Sequence, residues 1–226
     1  MRIDALIVSA RPSEFELGMG ASAAAMANAG LKVGALDLTR GELDGDAVPD
    51  VRQREAFEAG VALKLALREN LHLSENDLFD GQDAVTRLIV AVRKFRPRLA
   101  FLPHPSADPI HRRVVELTKQ AVRRADSANV KTSEKGSPQA PAAPKRALFY
   151  RIDSTFAPTF YADVSDSLEA KLAALGKYRS LAKSAARCAE LAKARAIADG
   201  ADAGATYAEP FHAESPIIVN LADALR

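Results

Sequence analysis

Four apolar runs constrain this chain more than any other feature: "IDALIVSA" (3–10), "LKVGALDL" (31–38), "RLAFLP" (98–103) and "RALFYRI" (146–152). A strand with one wet face alternates apolar and polar residues, whereas these runs are nearly continuous, the signature of strands buried on both faces of a parallel sheet. Between them the apolar residues recur with the period of a helix, at 19–29, 51–67, 82–95 and 110–125. In the third of these, Val85, Leu88, Ile89, Val92 and Phe95 keep one stripe. Strands alternating with helices predict an α/β fold, a mostly parallel sheet covered by helices on both faces.

The rest of the chain adds less. The stretch 127–145, rich in Ser, Pro, Lys and Ala without periodicity, is expected to be a mobile surface loop, and 1–226 is read as one domain. Residues 166–198 have the Ala, Leu and Lys composition of one or two long helices, broken near Gly176. A strand-like run sits at Ile217–Val219. With 48% hydrophobic residues over 226 positions, the chain can bury a substantial core. Its formal charge of +2 points to neither nucleic acid nor a membrane surface as partner. The single cysteine, Cys188, and the lack of a long apolar segment suit a cytoplasmic protein.

The loop after the first run, "ARPSEFELGMGASAAA", poses the functional question. Its "GMGASA" loosely matches a dinucleotide fingerprint, but that motif needs its first glycine directly after the strand. Gly18 and Gly20 come eight and ten residues after Ala10, and Glu14 and Glu16 would repel phosphates. Close approach of helix to sheet is the better reading of these glycines.

The strand, then "SARPSEFELGMGASAAAMANAG", "DLTRGEL", "ADPIHRRVVELTKQAV" and "YAEPF" together resemble the LmbE and PIG-L superfamily of zinc-dependent N-deacetylases, most of all the bacterial deacetylase of bacillithiol synthesis. The resemblance spans nearly the whole chain, weakening over 127–145 and 181–204. It implies a Rossmann-like three-layer sandwich, with the site at the carboxyl ends of the strands, and an activity that removes acetyl from an N-acetylglucosamine conjugate such as N-acetylglucosaminyl malate.

In that family a first loop reads His-Pro-Asp-Asp, in which the His and second Asp bind zinc and the first Asp is the general base. A later His-Pro-Asp-His gives a ligand from its last His, while its first assists the tetrahedral intermediate. Laid on this sequence, the first motif is Arg11-Pro12-Ser13-Glu14 and the second Asp108-Pro109-Ile110-His111. Glu14 and His111 keep groups able to bind metal. Arg11 stands at a ligand position with no lone pair to offer. Ser13 stands at the base position without a base, and Asp108 replaces the assisting His. The resemblance also places Arg40, Glu42 and Arg52 around the substrate, and Tyr207, Glu209 and Phe211 in the tail motif. Each has a plainer alternative: Arg40 with Glu42 as a loop-stabilising ion pair, Arg52 as a helix-surface charge, the two aromatics as packing.

Two readings follow. In one, Arg11 supplies the charge that zinc supplied, paired with Glu14 and Asp108. No cofactor is then expected, and the chain binds a sugar conjugate, or forms homo- or hetero-oligomers with family members, without catalysis. In the other, Glu14, Asp108 and His111 form a shifted metal site holding zinc, with Glu16 as the alternative base. Among the remaining histidines, His72 and His212 read as surface, and His104 as a spare ligand or a structural residue of its loop.

Overall fold

A computed structural model describes residues 2–41, 48–105, 108–153 and 155–217. In chain order the elements are β1 (Ala5–Ser9), α1 (Glu14–Asn28), β2 (Val33–Thr39), α2 (Pro49–Ala62), β3 (Leu67–Leu73), α3 (Glu75–Asp80), α4 (Gln82–Phe95), β4 (Leu99–Pro103) and α5 (Pro109–Ala125). The short strands β5 (Ser133–Glu134) and β6 (Ser137–Pro138) follow, then β7 (Arg146–Tyr150), β8 (Phe160–Asp163), α6 (Leu168–Leu175), a 3-10 turn at Arg179–Leu181, α7 (Ala182–Ala203) and β9 (Ala208–His212).

Seven strands form one sheet in the order β3-β2-β1-β4-β7-β9-β8. The first five run parallel, and β9 is antiparallel to both β7 and β8. Along β1 the residues divide between two cores, Leu6 and Val8 facing α3, α4 and α5, and Ala5 and Ile7 facing α1, α2 and α6. This two-sided burial is why β1 and β2 read as unbroken apolar runs, all of their residues being buried. The expected three-layer α/β arrangement is the one the chain adopts. Among the described residues no helix is long and apolar enough to cross a membrane.

Several boundaries differ from the sequence expectation, each for a local reason. The helical pattern expected over 51–67 ends at Ala62, where Lys64 takes a left-handed φ of 56° and the amides of Lys64 and Leu65 close back on the carbonyls of Val61 and Gly60. The chain then enters β3, an edge strand whose Arg68, Glu69 and Asn70 break the apolar pattern. The region 127–145, expected as a mobile loop, carries the β5–β6 hairpin and is tied to α4. The buried Arg93 guanidinium donates to the carbonyls of Ala125, Ser127 and Val130, and Gln139 reaches the carbonyl of Val90. Helix does break at Gly176, as expected. In the tail, Ile217 is not in a strand, and the remainder of that run lies outside the described residues.

α1 starts at Glu14 rather than residue 19 and is kinked at Met19, whose φ of −144° is not helical. The kink exposes fresh amides at the start of the second half, and the tail motif supplies their cap. Glu209, buried on β9, accepts from the amides of Ala21 (3.2 Å) and Ser22 (2.7 Å) and from Lys171 Nζ (2.6 Å). Glycine is required just before this kink, since a Cβ at Gly18 would stand 2.3 Å from the Arg151 carbonyl oxygen. Gly18 thus serves close approach of α1 to the end of β7, while Gly20 lies against the Lys171 side chain of α6. Glu209→Gln removes the charge that both Lys171 and the helix amides use. Its expected cost is about 2 kcal/mol, read as a fall of ~4–8 °C in Tm; an unchanged Tm would show that Glu209 does not cap α1.

Candidate functional site

Connections from β1 run to one side of the sheet and those from β4 to the other, so a crevice opens where the carboxyl ends of β1 and β4 meet. The loop after β1 brings Arg11, Ser13 and Glu14 to this crevice, and the loop after β4 brings Asp108 and His111. α5 begins there in the way its sequence dictates: Asp108 is the N-cap, its carboxylate accepting from the Ile110 amide at 2.9 Å, and Pro109 occupies the first helical turn. His111 follows within that turn, 2% exposed.

Arg11 is the hub. Its Nε and Nη2 each donate at 2.8 Å to one oxygen of Glu75, a two-pronged pair, while Nη1 lies 3.4 Å from Glu14 Oε1 and 3.3 Å from Asp108 Oδ2. Among the described residues, three carboxylates therefore surround this guanidinium. Glu14 has both oxygens in use: Oε2 accepts from the amides of Ala10 and Arg11, holding the loop closed, and Oε1 faces His111 Nε2 at 3.1 Å. On its other side His111 has Asp153 at 4.0 Å from Nδ1.

These contacts decide the charges. Burial opposes a charged imidazole at His111, but the hydrogen bond and charge of Glu14, with Asp108 and Asp153, outweigh it and hold the His111 pKa above its ordinary value. At Asp108 burial pushes the carboxyl upward, and the Ile110 amide, His111 and Arg11 together bring it below the usual range. In the centre, carboxylates alternate with the Arg11 guanidinium and the His111 imidazole.

Ser13, just before α1, is in a left-handed conformation, φ 83°, which residues other than glycine adopt at a cost and which Asn and Asp tolerate best. Its side chain makes no bond to cap α1. Glu16 is not part of this centre. It is fully buried on the opposite side of its turn, bound to Arg68 and accepting from the Tyr178 hydroxyl at 2.6 Å. Burial raises its pKa against the lowering charge of Arg68. A group closed in this way has no route to a water at the crevice, which corrects its assignment as an alternative base.

Arg52 is likewise corrected. It is neither a surface charge nor a substrate contact, being 1% exposed with Nη1 on the Gly41 carbonyl at 2.6 Å, so it fixes the turn after β2. Arg40 stays at the surface, 3.9 Å from Asp50. Glu42 lies outside the described residues. Phe211 is core, edge-on to Phe101 and stacked on Phe160, and Tyr207 is half-buried with its amide on Ser165 Oγ. His104 stacks on Phe156 at 4.4 Å and meets His212 edge-on, an aromatic cluster in which burial and the neighbouring His212 lower the His104 pKa. His72 is exposed.

Glu75 is the residue that sequence reasoning missed. The usable signal was positional: the carboxyl ends of parallel strands share one edge, and Glu75 lies two residues past the end of β3. Recognising β3 would have placed a carboxylate opposite Arg11.

A metal ion does not fit these residues. Among the described residues no group of three or more His, Cys, Asp or Glu side chains is placed to hold one. The Arg11 guanidinium stands between the carboxylates that would have to converge, and the Glu14 oxygens are already committed to the loop amides and His111.

Comparison with known proteins agrees with this architecture. A conserved protein from Thermus thermophilus superposes with a TM-score of 0.89 at 32% identity, over 96% of this chain and 97% of that one. The 4-carboxy-2-hydroxymuconate hydratase of Pseudomonas putida shares the fold at TM-score 0.79 and 18% identity, over 97% and 99% of the two chains. The diacetylchitobiose deacetylase of Thermococcus kodakarensis is 24% identical over 77% of this chain and 68% of its own length. Residues 6–122, from β1 through most of α5, match the family described as GlcNAc-PI de-N-acetylase, PIG-L. This chain belongs to that family.

Proposed function

We propose that this chain is a non-catalytic member of the N-deacetylase family, of the bacillithiol type, whose crevice binds a conjugate of N-acetylglucosamine such as N-acetylglucosaminyl malate, or engages an active homologue, without hydrolysing the amide. The observation that carries this reading is the Arg11 guanidinium lodged among Glu14, Glu75 and Asp108. In a zinc-dependent deacetylase the ion acidifies a water and polarises the amide carbonyl. A guanidinium does neither, and Ser13 at the base position has no carboxylate with which to take the water's proton. The diacetylchitobiose deacetylase relationship supports an amino sugar as the ligand class.

The alternative is an active N-deacetylase with a shifted metal on Glu14, Asp108 and His111. It requires Arg11 to leave its anionic partners and Glu14 Oε1 to give up its contact with His111. Calorimetric titration with N-acetylglucosaminyl malate in the presence of a chelator, beside a deacetylase assay with zinc, cobalt or manganese, separates the two. Binding without release of acetate is expected. Turnover with any of the metals would establish the alternative.

A further inference from the structure

We propose that the outer face of α2 is a docking surface for a second copy of this chain, the two α2 helices packing antiparallel across a two-fold axis; the inference is independent of the amino-sugar reading. Among the described residues eight large apolar side chains are exposed, and four of them, Val48, Val51, Phe57 and Val61, belong to α2 or its N-cap. Phe57 is 65% and Val61 63% exposed, one helical turn apart. Apolar residues scattered singly are ordinary on a surface, whereas a set gathered on one helix marks a contact face. The other side of α2 is already packed: Arg52, Glu55, Ala56, Ala59 and Gly60 are buried, and Glu55 accepts from the Ser180 amide at 2.7 Å.

The charges on this face select the occupant. At ~100° per residue, Asp50, Arg54, Phe57, Glu58 and Val61 fall within an arc of about 100°. Arg54 is exposed and has no ionic partner among the described residues. Glu58 meets Arg179 through Oε2 at 2.7 Å, and Lys64, just past the end of α2, rests on the Asn28 amide oxygen rather than on a carboxylate. In a parallel two-fold pair each residue meets its own copy, so Arg54 would face Arg54 and Glu58 would face Glu58. An antiparallel pair sets Arg54 against Glu58, Asp50 against Lys64 and Phe57 against Phe57, and the midpoints of these three pairings lie within one residue of each other, ~1.5 Å along the axis. One register therefore satisfies all three, the self-complementarity that an isologous contact requires. A helix of ~21 Å presents a narrow face, so the dimer belongs to the small, readily dissociating class.

Sedimentation velocity over ~5–200 µM protein tests the face, with thermal unfolding to show that each variant is folded. The wild type is expected to pass from monomer to dimer over this range. Phe57→Ser is expected to weaken the dimer at least about ten-fold in Kd. Arg54→Glu and Glu58→Arg, each alone, place like charges at both symmetric contacts and are expected to be monomeric. An equimolar mixture of these two variants is expected to dimerise again, because each chain then meets the opposite charge on the other. A wild type that stays monomeric throughout would overturn the proposal and leave the face to a different partner. A dimer indifferent to Phe57→Ser, or charge variants whose mixture does not re-associate, would overturn it as well, and none of these results bears on the amino-sugar reading.

Discussion

Arg11→Met is expected to destabilise the protein by about 3 kcal/mol at pH 7, because it leaves Glu14, Glu75 and Asp108 facing one another without their common cation. The figure is set at the lower end for a broken buried network, since the Asp108 side chain is a third exposed. In thermal unfolding this is a fall of ~6–12 °C. The pH dependence gives the sharper signature. In the wild type the lowered Asp108 carboxyl contributes stability that is present above the ordinary carboxylate range and lost as pH falls through its depressed value. In the variant, like charges without a cation favour uptake of a proton, so its deficit should shrink between pH 7 and pH 5. A deficit that is constant over that interval, or a Tm equal to that of the wild type, would show that Arg11 does not organise the centre.

The larger loss is expected at Arg68→Met. Arg68 reaches from the edge strand β3 into the sheet and pairs with Asp37 at 2.8 Å, with Glu16, and with the Ala56 carbonyl, all with little solvent access. Burial opposes the charge on Arg68, but Asp37 and Glu16 hold its pKa well above its ordinary value. Phe15 lies beneath the guanidinium at 4.8 Å, and Ser9 donates to Asp37 at 2.7 Å. Removing the cation strands two carboxylates that are fully buried, at a cost of about 5 kcal/mol. Adding Glu16→Gln and Asp37→Asn to Arg68→Met neutralises the stranded charges and should recover more than half of that loss in chemical denaturation. No recovery would mean that shape rather than charge sets the stability of this layer.

The two networks also show what the sequence discloses and what it hides. β1, β2, β4 and β7 are legible because burial on both faces leaves a nearly unbroken apolar record, and α4 and α5 because each keeps one apolar stripe. β3 is hidden because an edge strand keeps polar residues: Arg68 is the counter-ion of two buried acids, and Glu69, partly exposed, pairs with Lys94 at 2.8 Å. β9 is hidden because its "AEPFH" carries a buried Glu209 and a proline at the centre, and that glutamate is made tolerable by partners distant in sequence, Lys171 and the amides of Ala21 and Ser22.

The site divides in the same way. Arg11, Glu14, Asp108 and His111 meet because both of their loops leave the sheet at the switch between β1 and β4, a relation that chain order alone suggests. The bidentate grip of Glu75 depends on a strand two places away in the sheet, and the burial of Arg52 and Glu16 depends on packing partners that no local pattern names. Charged residues in particular carry no mark of their depth until their partners are known.

The claim on which the functional account depends is that an organic cation occupies the place where relatives in the family would be expected to gather a metal. Elemental analysis of the protein, purified without chelator and then dialysed against zinc, tests it directly. The account predicts zinc far below one ion per chain, with Arg11→His as the first variant in which uptake rises. Stoichiometric, tightly held zinc in the unmodified protein, lost when Glu14 or His111 is replaced, would contradict it.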